Sequence, residues 1–278
     1  MAELDSNGIT LHYEDTGTPQ TGEGARTVLL IHGWPLSGAS WSEQVPALTE
    51  AGYRVITYDR RGFGESDKPE SGYEYDTFAA DLAGVIDGLD LKNVSLVGFS
   101  MGGGEIARYI GRYGEERLHS VVFAGAVPPY LLKTDDNPDG GLGEDDVVGM
   151  EEGARDNREE FLDGFTTNFF SADGELKVTD AQREQALELE KSARDEAVVS
   201  CIDAFGRTDF RNDLERITVP TLVIHGDSDA IVPFEVSGKR THEAIDGSEL
   251  HVVKGGPHGF NVSHADDLNA ALIDFLKR

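Results

Sequence analysis

The chain has 278 residues, enough for one large α/β domain or two small ones, and enough to bury a substantial core without covalent staples. Its 52 Asp and Glu face only 24 Lys and Arg, a formal net charge of −28, and a surface of that sign repels nucleic acid and anionic membranes, which excludes both as expected partners. The single cysteine, Cys201, excludes an internal disulfide.

In chain order, Met1 to Thr10 is polar and lacks the apolar h-region of a signal peptide. Glu3–Asp5 and Ile9–Tyr13 flank Asn7-Gly8, the dipeptide of a tight antiparallel hairpin. Short apolar runs follow at Thr27–Ile31, Arg54–Tyr58, Val94–Phe99, Ser120–Ala124, Thr221–Ile224 and Leu250–Val253. Each is rich in Val, Ile or Leu and ends near Gly, Asp or Pro, as buried parallel strands do. Helical patterns are expected between them at 39–51, 76–89, 101–113, 235–245 and 264–277. Strand and helix in alternation imply right-handed crossovers and a mostly parallel sheet covered on both faces.

The rhythm breaks after Ala126. About ninety residues contain two helical patterns, 151–170 and 179–204, and a Gly/Asp-rich turn at Asp135–Asp146. That is too long for a loop in a compact domain and reads as a helical cap over the carboxyl ends of the strands. The expected organisation is a core of residues 1–127 and 215–278 with a cap at 128–214.

Residues Gly98-Phe99-Ser100-Met101-Gly102 lie between an apolar strand and a helical stretch. A serine at such a turn is pushed clear of its own backbone, and small residues two before and two after it let neighbouring backbones approach. Its hydroxyl needs a base and the base an orienting acid, and both are expected on loops after later strands. His258 lies in the glycine-rich loop Gly255-Gly256-Pro257-His258-Gly259. For the acid, Asp227 abuts its strand and reads as turn closure, whereas Asp229 sits farther into the loop and is preferred. The set is therefore Ser100, Asp229 and His258. Backbone amides of Met101 and Trp34 are expected to bind a developing oxyanion, with His32 bracing the Trp34 loop. Of the other histidines, His12, His119, His225, His242, His251 and His264 are expected to be structural or solvated. Asp59-Arg60-Arg61-Gly62-Phe63-Gly64 lacks the spacing of a nucleotide fingerprint and reads as a tight loop held by buried arginine contacts. No metal-ligand spacing or phosphate loop stands out, so no metal and no cofactor are expected.

These motifs together resemble an α/β-hydrolase, and more narrowly the bacterial cofactor-free (non-haem) chloroperoxidases, also described as perhydrolases and aryl esterases. The likeness is carried by His32-Gly33-Trp34-Pro35-Leu36-Ser37-Gly38, Tyr58-Asp59-Arg60-Arg61-Gly62-Phe63-Gly64-Glu65-Ser66 and Gly98-Phe99-Ser100-Met101-Gly102-Gly103-Gly104. It continues through Phe123-Ala124-Gly125-Ala126-Val127-Pro128-Pro129-Tyr130, Thr166-Thr167-Asn168-Phe169-Phe170, His225-Gly226-Asp227-Ser228-Asp229 and Gly255-Gly256-Pro257-His258-Gly259. The resemblance implies Ser100, Asp229 and His258 as nucleophile, acid and base, and the Trp34 and Met101 amides as oxyanion donors. It implies a serine acyl-enzyme formed from a small ester or carboxylic acid, resolved by water to acid or by hydrogen peroxide to peracid, which then oxidises halide. Pro35 resembles the perhydrolase-type members and is expected to fix a carbonyl for peroxide. The acyl pocket is expected from Trp34, Pro35, Phe99, Tyr130, Phe165, Phe169 and Ile231.

Competing readings are another hydrolase of this fold, such as a lactonase or carbon–carbon hydrolase, and a non-catalytic receptor on the same fold. A homo-oligomer is compatible with the sequence, and a cytoplasmic location is expected. Sixteen of the 24 basic residues are arginine, and scarce lysine with excess carboxylate suggests a host with a salty cytoplasm.

Overall fold

A computed structural model describes residues 2–17 and 26–278; Met1 and residues 18–25, which fall in the expected core, lie outside the described residues. The chain opens with a hairpin, β1 (Ala2–Ser6) and β2 (Ile9–Asp15), turning through Asn7 and Gly8, both at positive φ. Next come β3 (Thr27–Ile31), a 3-10 turn at Gly38–Trp41, α1 (Gln44–Glu50), β4 (Arg54–Tyr58), α2 (Tyr75–Gly88), β5 (Val94–Phe99), α3 (Met101–Tyr113) and β6 (Leu118–Ala124). The insertion holds α4 (Glu144–Asp156), α5 (Arg158–Phe169), a two-residue-strand hairpin of β7 (Ser171–Ala172) and β8 (Glu175–Leu176), α6 (Asp180–Lys191) and α7 (Asp195–Arg207). The chain closes with α8 (Arg211–Leu214), β9 (Thr221–Gly226), α9 (Gly238–Ala244), β10 (Glu249–Val253), α10 (Phe260–Ser263) and α11 (Ala265–Leu276).

Eight strands form one sheet in the order β1-β2-β4-β3-β5-β6-β9-β10. The β1/β2 and β2/β4 pairs are antiparallel and all the others parallel. Every residue of β5 is buried, because a central parallel strand packs apolar layers on both faces. One layer joins Leu29, Ile31, Leu96 and Phe123 to Phe78, Leu82, Ile106 and Ile110 of α2 and α3. The other joins Val28, Leu30, Val97 and Ile224 to Leu48 of α1 and to Leu268, Leu272 and Phe275 of α11.

The inserted segment departs from its expected form. Four helices stand where two were expected, and α4 begins inside the Gly/Asp-rich turn. Its first turn carries Glu144, Asp145 and Asp146, which favour a helix N-terminus, and the Asp146 carboxylate accepts from the Gly143 amide at 2.7 Å. The 151–170 pattern is cut at Asn157, which leaves helical geometry and caps α5. The 179–204 pattern is cut before α7, where the Arg194 amide donates to Gly62 O in the core at 2.8 Å. The 39–51 helix is likewise a 3-10 turn followed by α1, the 235–245 helix starts only at Gly238, and the 264–277 helix is preceded by the separate turn α10.

Candidate active site

Ser100 sits between β5 and α3 with φ 53° and ψ −117°. This conformation is uncommon for a residue with a side chain and is held by its neighbours. The Ser100 amide donates to Ala124 O at 2.9 Å, and its carbonyl accepts from Gly103 and Val127. A Cβ on Gly98 would collide with the Gly102 carbonyl, and one on Gly102 with the Ile31 carbonyl, so both flanking positions require glycine.

The loops after β9 and β10 bring the two partners to the serine. His258 Nε2 lies 2.9 Å from Ser100 Oγ, and His258 Nδ1 lies 2.6 Å from Asp229 Oδ2. All three residues are buried, Ser100 being 7% exposed and His258 1%. Asp229 Oδ1 accepts from the amides of Ile231 and Val232 at 2.9 and 2.8 Å. Burial alone would raise the Asp229 carboxyl, but His258 and His225 hold it well below the usual carboxylate range. It therefore stays ionised and accepts from Nδ1–H, an arrangement that turns the Nε2 lone pair toward Ser100 Oγ. Asp227 is exposed and closes its turn, accepting from the Gly255 amide at 2.7 Å. His225 does more than bond backbone: its Nε2 is 2.7 Å from Val232 O and 3.3 Å from Asp229 Oδ2, a second imidazole on the acid that sequence reasoning missed. The strand-end motif His225-Gly226-Asp227-Ser228-Asp229 carried a signal for it, since four residues around a tight turn return to the same point.

Met101 opens α3, so its amide has no acceptor within the helix. Beside it runs the turn Gly33–Leu36, in which Leu36 N donates to Gly33 O at 3.1 Å and the Trp34–Pro35 peptide is cis. The Gly33 backbone passes so near Ser100 that a Cβ there would lie 3.1 Å from Ser100 Cβ. His32 Nδ1–H donates to Gly33 O at 2.8 Å, and its Nε2 accepts from the Arg60 amide at 3.0 Å. Burial, reinforced by the Arg60 charge, holds His32 well below the ordinary imidazole range, so it remains a neutral brace.

The loop after β4 is held as expected. Arg60 Nε donates to Glu105 Oε2 at 2.8 Å with both side chains wholly buried, and Arg60 also donates to His32 O at 2.8 Å. The Tyr58 hydroxyl donates to the other Glu105 oxygen. Arg61 grips Asp81 through two bonds of 2.5 and 2.6 Å. Glu105 lies on α3, so this network joins the helix that follows Ser100 to the Trp34 loop.

A small, partly enclosed cavity opens over Ser100. Apart from the serine its lining is apolar: Trp34, Val127, Leu131, Leu142, Met150, Phe165, Phe205, Ile231 and Val232. Of the residues expected there, Trp34, Phe165 and Ile231 line it, and four do not. Phe99 points to the other side of β5, against Trp41, Phe260 and His258. Phe169 packs edge-on to His258, Tyr130 lies under the Arg211 guanidinium, and Pro35 is buried in its turn without reaching the lining. Phe205 belongs to the apolar stripe Val198, Cys201, Ile202 and Phe205 of α7, which could have revealed it; Leu131 and Leu142 come from an aperiodic loop that gives no such signal. The Trp34 indole N–H donates to Val198 O at 3.0 Å and its ring packs on Phe161, Phe165 and Phe205, so the inserted helices sit over the ends of β3 and β5. Among the described residues no group of three or more His, Cys, Asp or Glu is arranged to hold a metal ion.

A parallel sheet with a serine elbow after β5 and its two partners after β9 and β10 defines an α/β-hydrolase, and the family model described as the alpha/beta hydrolase fold matches residues 26–265. The chain belongs to that family and is an enzyme of the hydrolase class. Within it, the chain belongs with the non-heme chloroperoxidases. It is 45% identical to the "Putative non-heme chloroperoxidase" of Synechocystis over all of this chain and 98% of the relative. It is 33% identical to a "Bifunctional esterase/perhydrolase" of Acinetobacter calcoaceticus over 98% of this chain and 97% of that protein. The crystal structure of a bromoperoxidase from Bacillus anthracis is 54% identical and superposes with a TM-score of 0.95, covering 100% of this chain and 99% of that one.

Proposed function

We propose that the enzyme is a serine carboxylesterase that also makes peracids from hydrogen peroxide, with Ser100, His258 and Asp229 as nucleophile, base and acid. The observation that carries the reading is the buried chain of hydrogen bonds from Ser100 Oγ through His258 to Asp229, at 2.9 and 2.6 Å. As Oγ attacks the ester carbonyl, His258 Nε2 takes its proton, and the amides of Met101 and Trp34 stabilise the oxyanion. The proton passes to the departing alcohol, leaving an acyl group on Ser100. Water or hydrogen peroxide then gives its proton to Nε2 and bonds to the acyl carbon. The carbon–Oγ bond breaks, Oγ regains the proton, and acid or peracid leaves. A peracid released in this way oxidises chloride or bromide to hypohalous acid outside the site and is itself reduced to the carboxylic acid.

Residues 128–214 act as the cap that shapes the acyl site. A lining without charge suits a neutral, short to medium acyl group. One buried thiol, Cys201, is compatible with a cytoplasmic setting. Cleavage of p-nitrophenyl esters of rising chain length, with and without peroxide, tests the function: short and medium esters should be cleaved and peracid should appear with peroxide. Cleavage of none of them would overturn it. Pro35→Leu should alter the ratio of perhydrolysis to hydrolysis, and an unaltered ratio would remove Pro35 from the account.

A further inference from the structure

His225 stands near the end of β9, a strand paired on both edges, by β6 and by β10. Its ring is wholly buried and packs on Phe234, with centroids 5.8 Å apart. Nε2 lies 2.7 Å from Val232 O and 3.3 Å from Asp229 Oδ2. A carbonyl oxygen can only accept, so Nε2 carries a hydrogen. Nδ1 faces Gly238, where a Cβ would collide with it, and has no hydrogen-bond partner among the described residues. One edge of the ring is thus committed to the loop that carries Asp229, and the other packs against backbone.

A carboxylate offers about four lone-pair directions, and on Asp229 there is a donor for each. Oδ1 accepts from the amides of Ile231 and Val232, while Oδ2 accepts from His258 Nδ1 and faces His225 Nε2 at the longer distance. The His225 hydrogen also holds Val232 O, and Val232 N is one of the two donors to Oδ1. His225 therefore bears on both carboxylate oxygens, on one directly and on the other through Val232. It does not itself line the cavity over Ser100, whereas Ile231 and Val232 do.

We propose that His225 is a positioning residue of the reaction: it fixes the plane of the Asp229 carboxylate, and through it the direction in which His258 Nε2 meets Ser100 Oγ. The inference rests on the reading above in which Asp229 is the acid of the triad. His225 touches neither substrate nor the reacting atoms, and no proton passes through it. Its effect falls on the rate of the chemistry, because a small misplacement of a reacting pair slows proton transfer without altering the surface that binds the acyl group.

Three substitutions separate this role from packing. The amide nitrogen of Gln reaches the position of Nε2 and can donate to Val232 O and Asp229 Oδ2. That of Asn stops at the position of Nδ1, against Gly238, and Leu has no donor. In p-nitrophenyl ester turnover, His225→Leu and His225→Asn should lower kcat roughly tenfold or more, as expected for a lost hydrogen bond to a charged group, with KM changed less than about twofold. His225→Gln should recover kcat to within about threefold of wild type. In an Asp229→Asn background, His225→Leu should lower kcat by less than about twofold further, since the group it acts through is already gone. Should His225→Leu not fold, judged by circular dichroism, the comparison of Gln with Asn decides alone. Wild-type kcat in His225→Leu, His225→Gln as slow as His225→Asn, a KM that rises in step with the loss of kcat, or full additivity with Asp229→Asn would overturn the role. Wild-type turnover by Asp229→Asn alone would instead overturn the triad reading beneath it.

Discussion

The sheet core and the inserted helices meet across Ser100, and they are held by different forces. Below the serine, apolar strands are sealed on both faces, and the charges there are paired in full burial, Arg60 with Glu105 and Arg61 with Asp81. Above it, the helices rest on the Trp34–Phe165–Phe205 aromatic contacts and on half-exposed arginines such as Arg207, which bridges Glu144, Glu151 and Asp203. Partly exposed pairs of that kind each contribute about 0–1 kcal/mol, whereas breaking a fully buried pair costs about 3–5 kcal/mol. The core therefore holds Ser100, His258 and Asp229 on elements locked by buried pairs, and the cap leans more on apolar contacts and exposed pairs. Changes in the core should alter chemistry and folding together, and changes in the cap should alter specificity and solution behaviour.

The sharpest way to break that contrast lies in the core. Asp229→Asn should preserve the fold and lower kcat by about 10⁴-fold, because the amide no longer holds His258 in the tautomer that accepts the serine proton. Ester turnover beside a circular dichroism spectrum checks this, and a loss under tenfold would contradict it. Glu105→Ala strands the Arg60 guanidinium in the interior and should cost about 3–5 kcal/mol of stability, measured by urea unfolding. A cost near that of a surface ion pair would erase the distinction between the two regions.

The cap offers a test through pH. Glu190 of α6 is buried, its carboxyl bonded to the Thr166 hydroxyl of α5 at 2.7 Å, and burial pushes its pKa up to about 8. The folded state thus keeps a proton that the unfolded chain loses near pH 4.5, so stability falls as pH rises from there through 8. The whole effect is on the order of 5 kcal/mol. Glu190→Gln should match wild type at pH 4.5 and exceed it in Tm at pH 9; equal Tm values at pH 9 would refute the assignment. The smallest effect concerns the surface. With a net charge of −28, screening of self-repulsion should outweigh screening of the ion pairs, and Tm should rise by about 5 °C between 0.1 and 1 M potassium chloride. An unchanged or lower Tm would remove the link between the acidic surface and salt.

The same contrast governed what the sequence disclosed. The limits of β3, β4 and β5 coincide with the apolar runs Thr27–Ile31, Arg54–Tyr58 and Val94–Phe99, because a strand buried on both faces is dominated by apolar residues, with only small polar ones such as Thr57 and Ser95 buried among them. Ser100 and His258 were legible for a related reason, since each sits among glycines beside such a strand. The choice of Asp229 over Asp227 rested on loop position alone, and its contact with His225 was not visible. In the cap, the amphipathic pattern ran through Asn157, whose break shows in sequence only as Asn157 followed by Glu160 three residues on, a helix start within an apparent helix. Phe99, which precedes Ser100, and Phe169 of the inserted segment are both expected in the acyl pocket and neither lines it. The alternation of side chains across β5 instead places Phe99 on the opposite face from the serine's pocket.

The proposal that Ser100 Oγ is the nucleophile that takes up the acyl group is tested most directly by p-nitrophenyl ester turnover by Ser100→Ala, with protein mass recorded after phosphonate treatment of both forms. The account predicts that the variant loses activity by about 10⁴-fold or more and that only the wild type gains the phosphonyl mass. Turnover by the variant at the wild-type rate, or a phosphonyl group on the variant, would contradict it.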